Sequence, residues 1–577
     1  ASSLSGVPLV GYDDANIFFV YARNLVNGHG FVYNVGGERV EGFTSLAWVL
    51  VCAAARVVTS RFEIVLFAIS IVVISVALWR LCALLTDLLT RFEVADRGRA
   101  TLWSLALTAA LALTPGYIIW SVVSLMDTGL WSALLLLAAV GTVRLAMGDP
   151  LTWGGRILPL LLIAMVLTRP ESLLWGPVFL GLWLMIGVAT GRGWLGSARQ
   201  HAGSAIAFVV TVAGLFAWRL AYFGYPMPNT YYAKVGNSLA NRIEMGKLYV
   251  WDFAAGNPAF LLAAFAALAT AGVAFTRYRQ TRDEGTWRLL VAQLCLVVMM
   301  LVGSSVPLIE GGDHFGFWRV LQPIVPLVAI QAALSASLLA LTRPAERQAA
   351  AAACALVIAF SLLPWRHWAW LDEVSYPSAG ILGAGWNTAR LEIGIAEDMR
   401  RIGAAFTRTF PDRPPSVGVI VAGGFALEYR GPTIDLMGLN NVAMAHSSGP
   451  RDGTPNHAAF NQDVFFALAP DVLLLSMWGP QRPDWFDFPM LAGEFEAPPY
   501  DRPDYFDKRN ISMNNFDAGV FKGLLHNPRT AELYRWAAVR PAGGTGWMHA
   551  HIKKYFLTTL GASGNETPPP TPPPTPK

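Results

Sequence analysis

Between residues 43 and 364 the chain carries about eleven apolar stretches, each near the ~20 residues that a helix needs to cross a bilayer. They lie near 43–60, 62–89, 101–119, 127–147, 154–168, 171–190, 203–222, 257–276, 287–303, 319–341 and 348–364. Some are short or broken: Pro115-Gly116 interrupts one, and Arg169-Pro170 separates two others with almost no linker. Composition agrees. Hydrophobic residues make up 54% of the chain and charged ones only 14%, against roughly 25% charged in soluble domains. A plain soluble enzyme, a disordered chain and a disulfide scaffold are excluded. The net charge of +4 over 577 residues gives no nucleic-acid footprint. Cys52, Cys82, Cys295 and Cys354 each sit in an apolar run without metal or redox spacing, and read as small buried hydrophobes.

Arginines orient the spans. Arg192 and Arg199 share one loop; Arg277, Arg279, Arg282 and Arg288 share another; Arg343 and Arg347 mark a third. Read as cytoplasmic, these put loops 223–256 and 304–318, and everything after 364, outside. The opening loop, with Asp13, Asp14, Glu38 and Glu41, also reads as outside. Eleven full crossings from that start would leave the tail inside. One early segment between 43 and 119 is therefore expected to be re-entrant or not a crossing.

The expected organisation is an extracytoplasmic loop (1–42), an α-helical polytopic membrane domain (43–364), an extracytoplasmic α/β domain (365–560) and a Pro-rich tail (561–577). Residues 385–409 carry helical periodicity, and Ser416–Ala422 and Asp471–Ser476 read as short buried strands. Gly423-Gly424 lacks the spaced glycines of a dinucleotide loop and reads as a tight turn. The closing TPPPTPPPTPK suits an extended polyproline spacer.

Charges gather in the outside loops rather than at mid-bilayer. A transporter places ionisable groups near the midplane, whereas an enzyme acting on a lipid-linked substrate needs them where the head group lies. Asp13 and Asp14 are adjacent carboxylates, suited to deprotonating a hydroxyl, binding a metal or holding sugar hydroxyls; a helix start is the plainer reading. Glu41 immediately precedes an apolar span, with Thr44 or Ser45 as a helix start. Arg169 and Glu171 flank Pro170 at a membrane edge, as a phosphate ligand or a structural ion pair. In YPMPNTYYAK, Asn229, Tyr231, Tyr232 and Lys234 suit a sugar and a phosphate, or an aromatic belt. EGGDHFGFWR is the densest segment: Glu310, Asp313, His314 and Arg319 crowd a loop whose Gly311 and Gly312 permit close approach to a ligand. Asp313 and His314 are too few for a metal site. Asp435 and Asn440 in IDLMGLNN read as turn residues. Trp485 and Tyr500 of the tail suit sugar stacking or packing.

In order along the chain, YDDANIFFVYARNL, VEGFTSLAW, SLMDTGLW, TRPESLL, PNTYYAK, GGDHFGFWR and IDLMGLN resemble the GT-C polyprenyl-phosphate-dependent glycosyltransferases, and among them the mycobacterial-type terminal arabinofuranosyltransferases of cell-wall synthesis. The resemblance runs from about residue 11 into the tail. It implies a GT-C fold in the plasma membrane, with the active site and C-terminal domain on the extracytoplasmic side. It implies decaprenyl-phosphoryl-arabinofuranose as donor and arabinan ends of arabinogalactan and lipoarabinomannan as acceptor, joined by a terminal β-(1→2) linkage. It places a functional carboxylate in the first outside loop, here Asp13 or Asp14. The family has a span before that loop, which suggests that one has been removed here. Arg169, Lys234 and Arg319 are then the candidates for the lipid phosphate. Donor and product are both β, so the transfer retains configuration, and a second carboxylate, Glu41 or Asp313, could take a separate role. A divalent metal is not required by the sequence. Another sugar donor within GT-C (a mannosyltransferase or a glycan ligase) and a lipid-linked sugar transporter are the alternatives.

Overall fold

The computed structural model describes residues 3–4, 7–149, 154–234, 239–313, 315–342, 389–449, 459–474, 520–539 and 548–559. His314, Cys354, the apolar stretch 348–364, the boundary at 364, Trp485, Tyr500 and the Pro-rich tail lie outside these residues.

The protein is a multi-pass membrane protein with a C-terminal α/β unit. Among the described residues seven helices are long and apolar enough to cross a bilayer: Phe62–Arg91, Thr128–Ala146, Ser172–Ala189, Gly193–Phe223, Pro258–Thr281, Glu284–Glu310 and the run Gln322–Leu341. Their outward faces keep large apolar side chains exposed, among them Val72, Trp79, Ile206, Val209 and Phe265, as lipid contact requires. The stretch interrupted at Pro115-Gly116 is a helix pair, Arg97–Ala112 and Pro115–Val123, bent by 73°. Proline removes a backbone donor there and the second piece continues into a π-turn at Ile119–Val123. Leu46–Val58 has 13 residues, about 20 Å of helix, which is short of the ~30 Å hydrocarbon core. Ser45 caps it, accepting from the Trp48 amide at 3.1 Å.

One element departs from the sequence expectation. Loop 223–256 contains the helix Leu239–Gly256, which packs on Glu284–Glu310 through Gly246 and Tyr249 and leaves Leu239, Leu248 and Trp251 exposed. Its charges, including Arg242, Glu244 and Lys247, lower its hydropathy below that of a span, so it reads as loop from composition alone.

The tail folds as expected for an α/β unit. The helix Ala389–Thr409 lies against a five-stranded mixed sheet of strand order Thr433–Asp435, Val417–Val419, Val472–Leu474, Met548–Lys553, Tyr534–Val539. The first three strands are parallel and the last two antiparallel. Cys52 and Cys295 are buried free thiols; Cys82 is half-buried.

The opening loop and its helix Asp13–Val26 form the platform on which the tail docks. Arg400 of the tail donates to the Asn16 side chain at 2.6 Å and pairs with Glu63, at the head of Phe62–Arg91, at 2.7 Å. Arg23 donates to the Leu427 and Ala426 carbonyls, and the Asn34 amide exchanges hydrogen bonds with the backbone of Thr433. Residues far apart in sequence thus share one buried core, with Phe19, Trp48, Trp120, Phe406 and Phe425 in a single cluster.

Candidate active site

Asp13 and Asp14 open a helix whose preceding residue, Tyr12, is extended and donates its amide to the Ser124 carbonyl at 3.1 Å. Carboxylates in a first helical turn are favoured by the helix dipole, but here the two point to different partners. Asp13 is buried and accepts from the amides of Gly423 and Gly424 at 2.8 and 2.7 Å. A Cβ on Gly423 would stand 1.9 Å from the Asp13 carbonyl oxygen, so only glycine admits this approach. Burial pushes the Asp13 carboxyl up to about 7, against the pull of the two amides. Asp14 has a side chain 24% exposed and faces Arg319, 3.6 Å away.

Arg319 is the centre of the cluster. Its Nε stands 2.6 Å from Asp313 Oδ2, and its guanidinium lies 4.7 Å from the ring centre of Phe315 and 5.5 Å from that of Trp120. Burial works against its charge, but Asp313 and Asp14 outweigh it and hold the guanidinium above its ordinary pKa. The loop delivering it is strained: Phe317 and Trp318 have φ of 58° and 49°, in the left-handed region that side chains avoid. Trp318 is fixed by a 3.0 Å bond to Asp252, and Trp120 by one of 3.0 Å to the Gly316 carbonyl.

A second arginine adjoins it. Arg169 pairs with Glu171 and lies 3.4 Å from both oxygens of Asp127. Arg169 and Glu171 come from the turn between Gly154–Thr168 and Ser172–Ala189, Asp127 from the residue before Thr128–Ala146. Leu125, two residues earlier, also has a positive φ of 55°. Arg319 and Arg169 act on each other's charge, and Glu310 feels Glu171, Arg169, Asp313 and Arg319. The two arginines therefore share one field with Asp14, Asp313, Asp127, Glu171 and Glu310, and carboxylates outnumber cations.

The tail adds Glu392, in the first turn of Ala389–Thr409. Burial, then the charges of Asp14, Asp13 and Asp313, push its carboxyl up to about 8, so it is largely protonated at neutral pH. The sequence reading missed it because a lone glutamate in an amphipathic helix has no local signature. Asp127 in SLMDTGLW and Glu310 in EGGDHFGFWR likewise carry no local signature of the cluster they join.

Other expected site residues form a separate group that joins the domains. Glu41 is buried against Arg219 with oxygens at 2.9 and 3.0 Å, and burial pushes its carboxyl up to about 7 despite that partner. The Asn229 amide side chain donates to the carbonyls of Gly438, Leu439 and Asn441, and its backbone N–H to that of Glu41. Asp435 accepts from the Met437 and Asn440 amides and the Asn440 side chain. Tyr232 packs at tilted angles against Tyr225 and His446, Tyr231 is exposed, and Lys234 ends the short helix Asn229–Lys234 half-buried. Gly311 and Gly312 also have a part in the fold. Their φ values of 90° and 79° close the end of Glu284–Glu310, and Gly312 lies against Tyr249. Among the described residues no three His, Cys, Asp or Glu side chains gather as metal ligands.

Glu41→Ala would strand the Arg219 charge in the interior. The expected outcome is a loss of about 3–5 kcal/mol, read as a lowered unfolding temperature in detergent; an unchanged temperature would show that the pair contributes nothing.

No protein-family model matches the chain, and no curated protein matches it in sequence. Two crystal structures of the Archaeoglobus fulgidus oligosaccharyltransferase are similar to it: one complexed with Zn and sulfate (TM-score 0.41, 13% identity) and one in the apo form (TM-score 0.38, 12% identity). Each match covers 74% of this chain, and 58% and 61% of theirs respectively, so the chain spans about three fifths of the length of those structures.

Proposed function

We propose that the protein is a GT-C-type membrane glycosyltransferase that moves arabinofuranose from decaprenyl-phosphoryl-arabinofuranose to arabinan ends, with its site on the extracytoplasmic side. The observation carrying this reading is the single guanidinium of Arg319 between Asp14 and Asp313, with Arg169 beside it, at the helix ends that meet the tail domain. A lipid phosphate leaving a sugar needs cations, and an incoming hydroxyl needs a carboxylate nearby; this cluster offers both in one place. The order of the motifs along the chain supports the sugar and the donor.

In the transfer, the bond between the anomeric carbon and the phosphate oxygen breaks, and a bond from that carbon to the acceptor oxygen forms. Arg319, held by Trp120 and Phe315, is oriented to stabilise the charge growing on the phosphate; Arg169 supports it from its pair with Glu171. Asp14, more exposed than its neighbour Asp13, acts on the acceptor hydroxyl or the anomeric centre. Retention calls for a second group, and Asp313 on the same arginine suits it better than Glu41, which Arg219 occupies.

The test is to reconstitute the full chain in lipid nanodiscs with radiolabelled decaprenyl-phosphoryl-arabinofuranose, or with the mannose analogue, plus an arabinan oligosaccharide. Label should enter the oligosaccharide from the arabinose donor alone. Transfer from the mannose donor only would assign a different GT-C sugar, and movement of intact lipid-linked sugar without transfer would assign a transporter.

A further inference from the structure

The far end of the helical domain holds a second built feature, which the glycosyl transfer does not use. Asp127 and Arg144 bracket the helix Thr128–Ala146, so the two ends stand about 25 Å apart at 1.5 Å per residue. Likewise Glu63, at the head of Phe62–Arg91, meets the tail, while Asp87 and Arg91 lie at its other end. There, between Phe62–Arg91, Thr128–Ala146 and Gly154–Thr168, opens a cavity of about 560 Å³.

Its lining has two parts. Leu84, Leu88, Leu137, Val140, Leu158 and Leu161 form an apolar wall. Among the described residues Arg80, Arg91, Arg97 and Arg144, with Asp87 and Asp149, form the charged part. Arg144 pairs with both aspartates, at 2.8 and 3.1 Å, and Arg91 shares Asp149 at 3.2 Å. The two carboxylates are thus already engaged, and among the described lining residues arginines outnumber carboxylates. The buried Nε of Arg144 makes no hydrogen bond among the described residues. An excess of guanidinium over an apolar slot, at the arginine-rich end of a helical bundle, matches a molecule with a phosphate at one end and hydrocarbon at the other.

We propose that this cavity seats the head-group phosphate and one acyl chain of an anionic phospholipid from the leaflet opposite the carboxylate cluster. Arginine suits the phosphate by charge and by its fork of donors, and the leucine wall suits a chain that would otherwise lie in bulk lipid. The assignment does not depend on which sugar the protein transfers.

The experiment uses the full chain in detergent, with bound lipid read by native mass spectrometry during titration with phosphatidylglycerol or phosphatidylcholine of identical acyl chains. Phosphatidylglycerol should bind tighter by about tenfold or more. The double variant Arg91→Ala/Arg97→Ala alters two exposed side chains and should fold. It should bring the two lipids to near-equal affinity, whereas Arg91→Lys/Arg97→Lys should restore most of the preference. Equal affinities in the unaltered protein, or an undiminished preference in the alanine pair, would overturn the proposal. Equally tight binding of soluble glycerol 3-phosphate would overturn the lipid assignment.

Discussion

Asp14→Ala is expected to abolish transfer, lowering the rate between about 10²- and 10⁴-fold, while leaving the protein folded. The reasoning is local. Asp14 contributes one arm of the Arg319 pairing, at 3.6 Å, and Arg319 keeps its closer partner Asp313 at 2.6 Å when Asp14 is removed. The tail is held by Asp13, Arg400, Arg23 and Tyr33, none of which is disturbed. Transfer from the labelled arabinose donor and the unfolding temperature, measured on one preparation, decide it. Full activity in the variant would remove Asp14 from the reaction.

Asp13→Ala should behave differently although the two residues are neighbours. It leaves the buried amides of Gly423 and Gly424 without an acceptor, at about 1–3 kcal/mol for each orphaned group. Activity should fall together with the unfolding temperature, and protease should reach the tail. The same residue gives a pH signature. Burial raises Asp13 to about 7, Glu41 to about 7, Asp435 to about 6 and Glu392 to about 8, all above their unfolded values near 4. In that window the folded state binds more protons than the unfolded one, so the stability these four groups contribute is fully present below about pH 4 and is lost as pH rises from there through about 8. Asp13→Asn keeps one acceptor oxygen and cannot titrate. Its unfolding temperature should therefore vary less between pH 5 and pH 8 than that of the unaltered chain. An equal slope would show that Asp13 does not titrate in this range.

The contrast between these neighbours marks the limit of what the sequence displays. The pair Asp13-Asp14 is plain in the sequence, as are ten of the apolar stretches, the helix near 385–409 and the strands at 416–422 and 471–476. Which carboxylate faces the cluster depends on where the Gly423-Gly424 amides dock, and that contact spans 410 positions. In the sequence Glu41 and Asn229 are polar groups beside apolar spans, a position shared by ligand contacts and by interdomain ties such as those to Arg219 and the 438–441 carbonyls. Glu392 and Asp127 gain their meaning only from neighbours supplied by other helices. The helix Leu239–Gly256 escaped notice because its polar residues break the apolar run without removing its ability to pack on one face.

The clasp between the first helix and the Gly423-Gly424 turn also constrains biogenesis. Helices are made and inserted in order from the amino end, at roughly 5–20 residues per second. The Asp13 contact with Gly424 therefore cannot form until more than four hundred further residues have been made. Catalytic competence becomes a late event in maturation. A chain terminated before residue 423 would lack the Gly423 and Gly424 amides that Asp13 accepts from, and under the proposed function it should carry out no transfer.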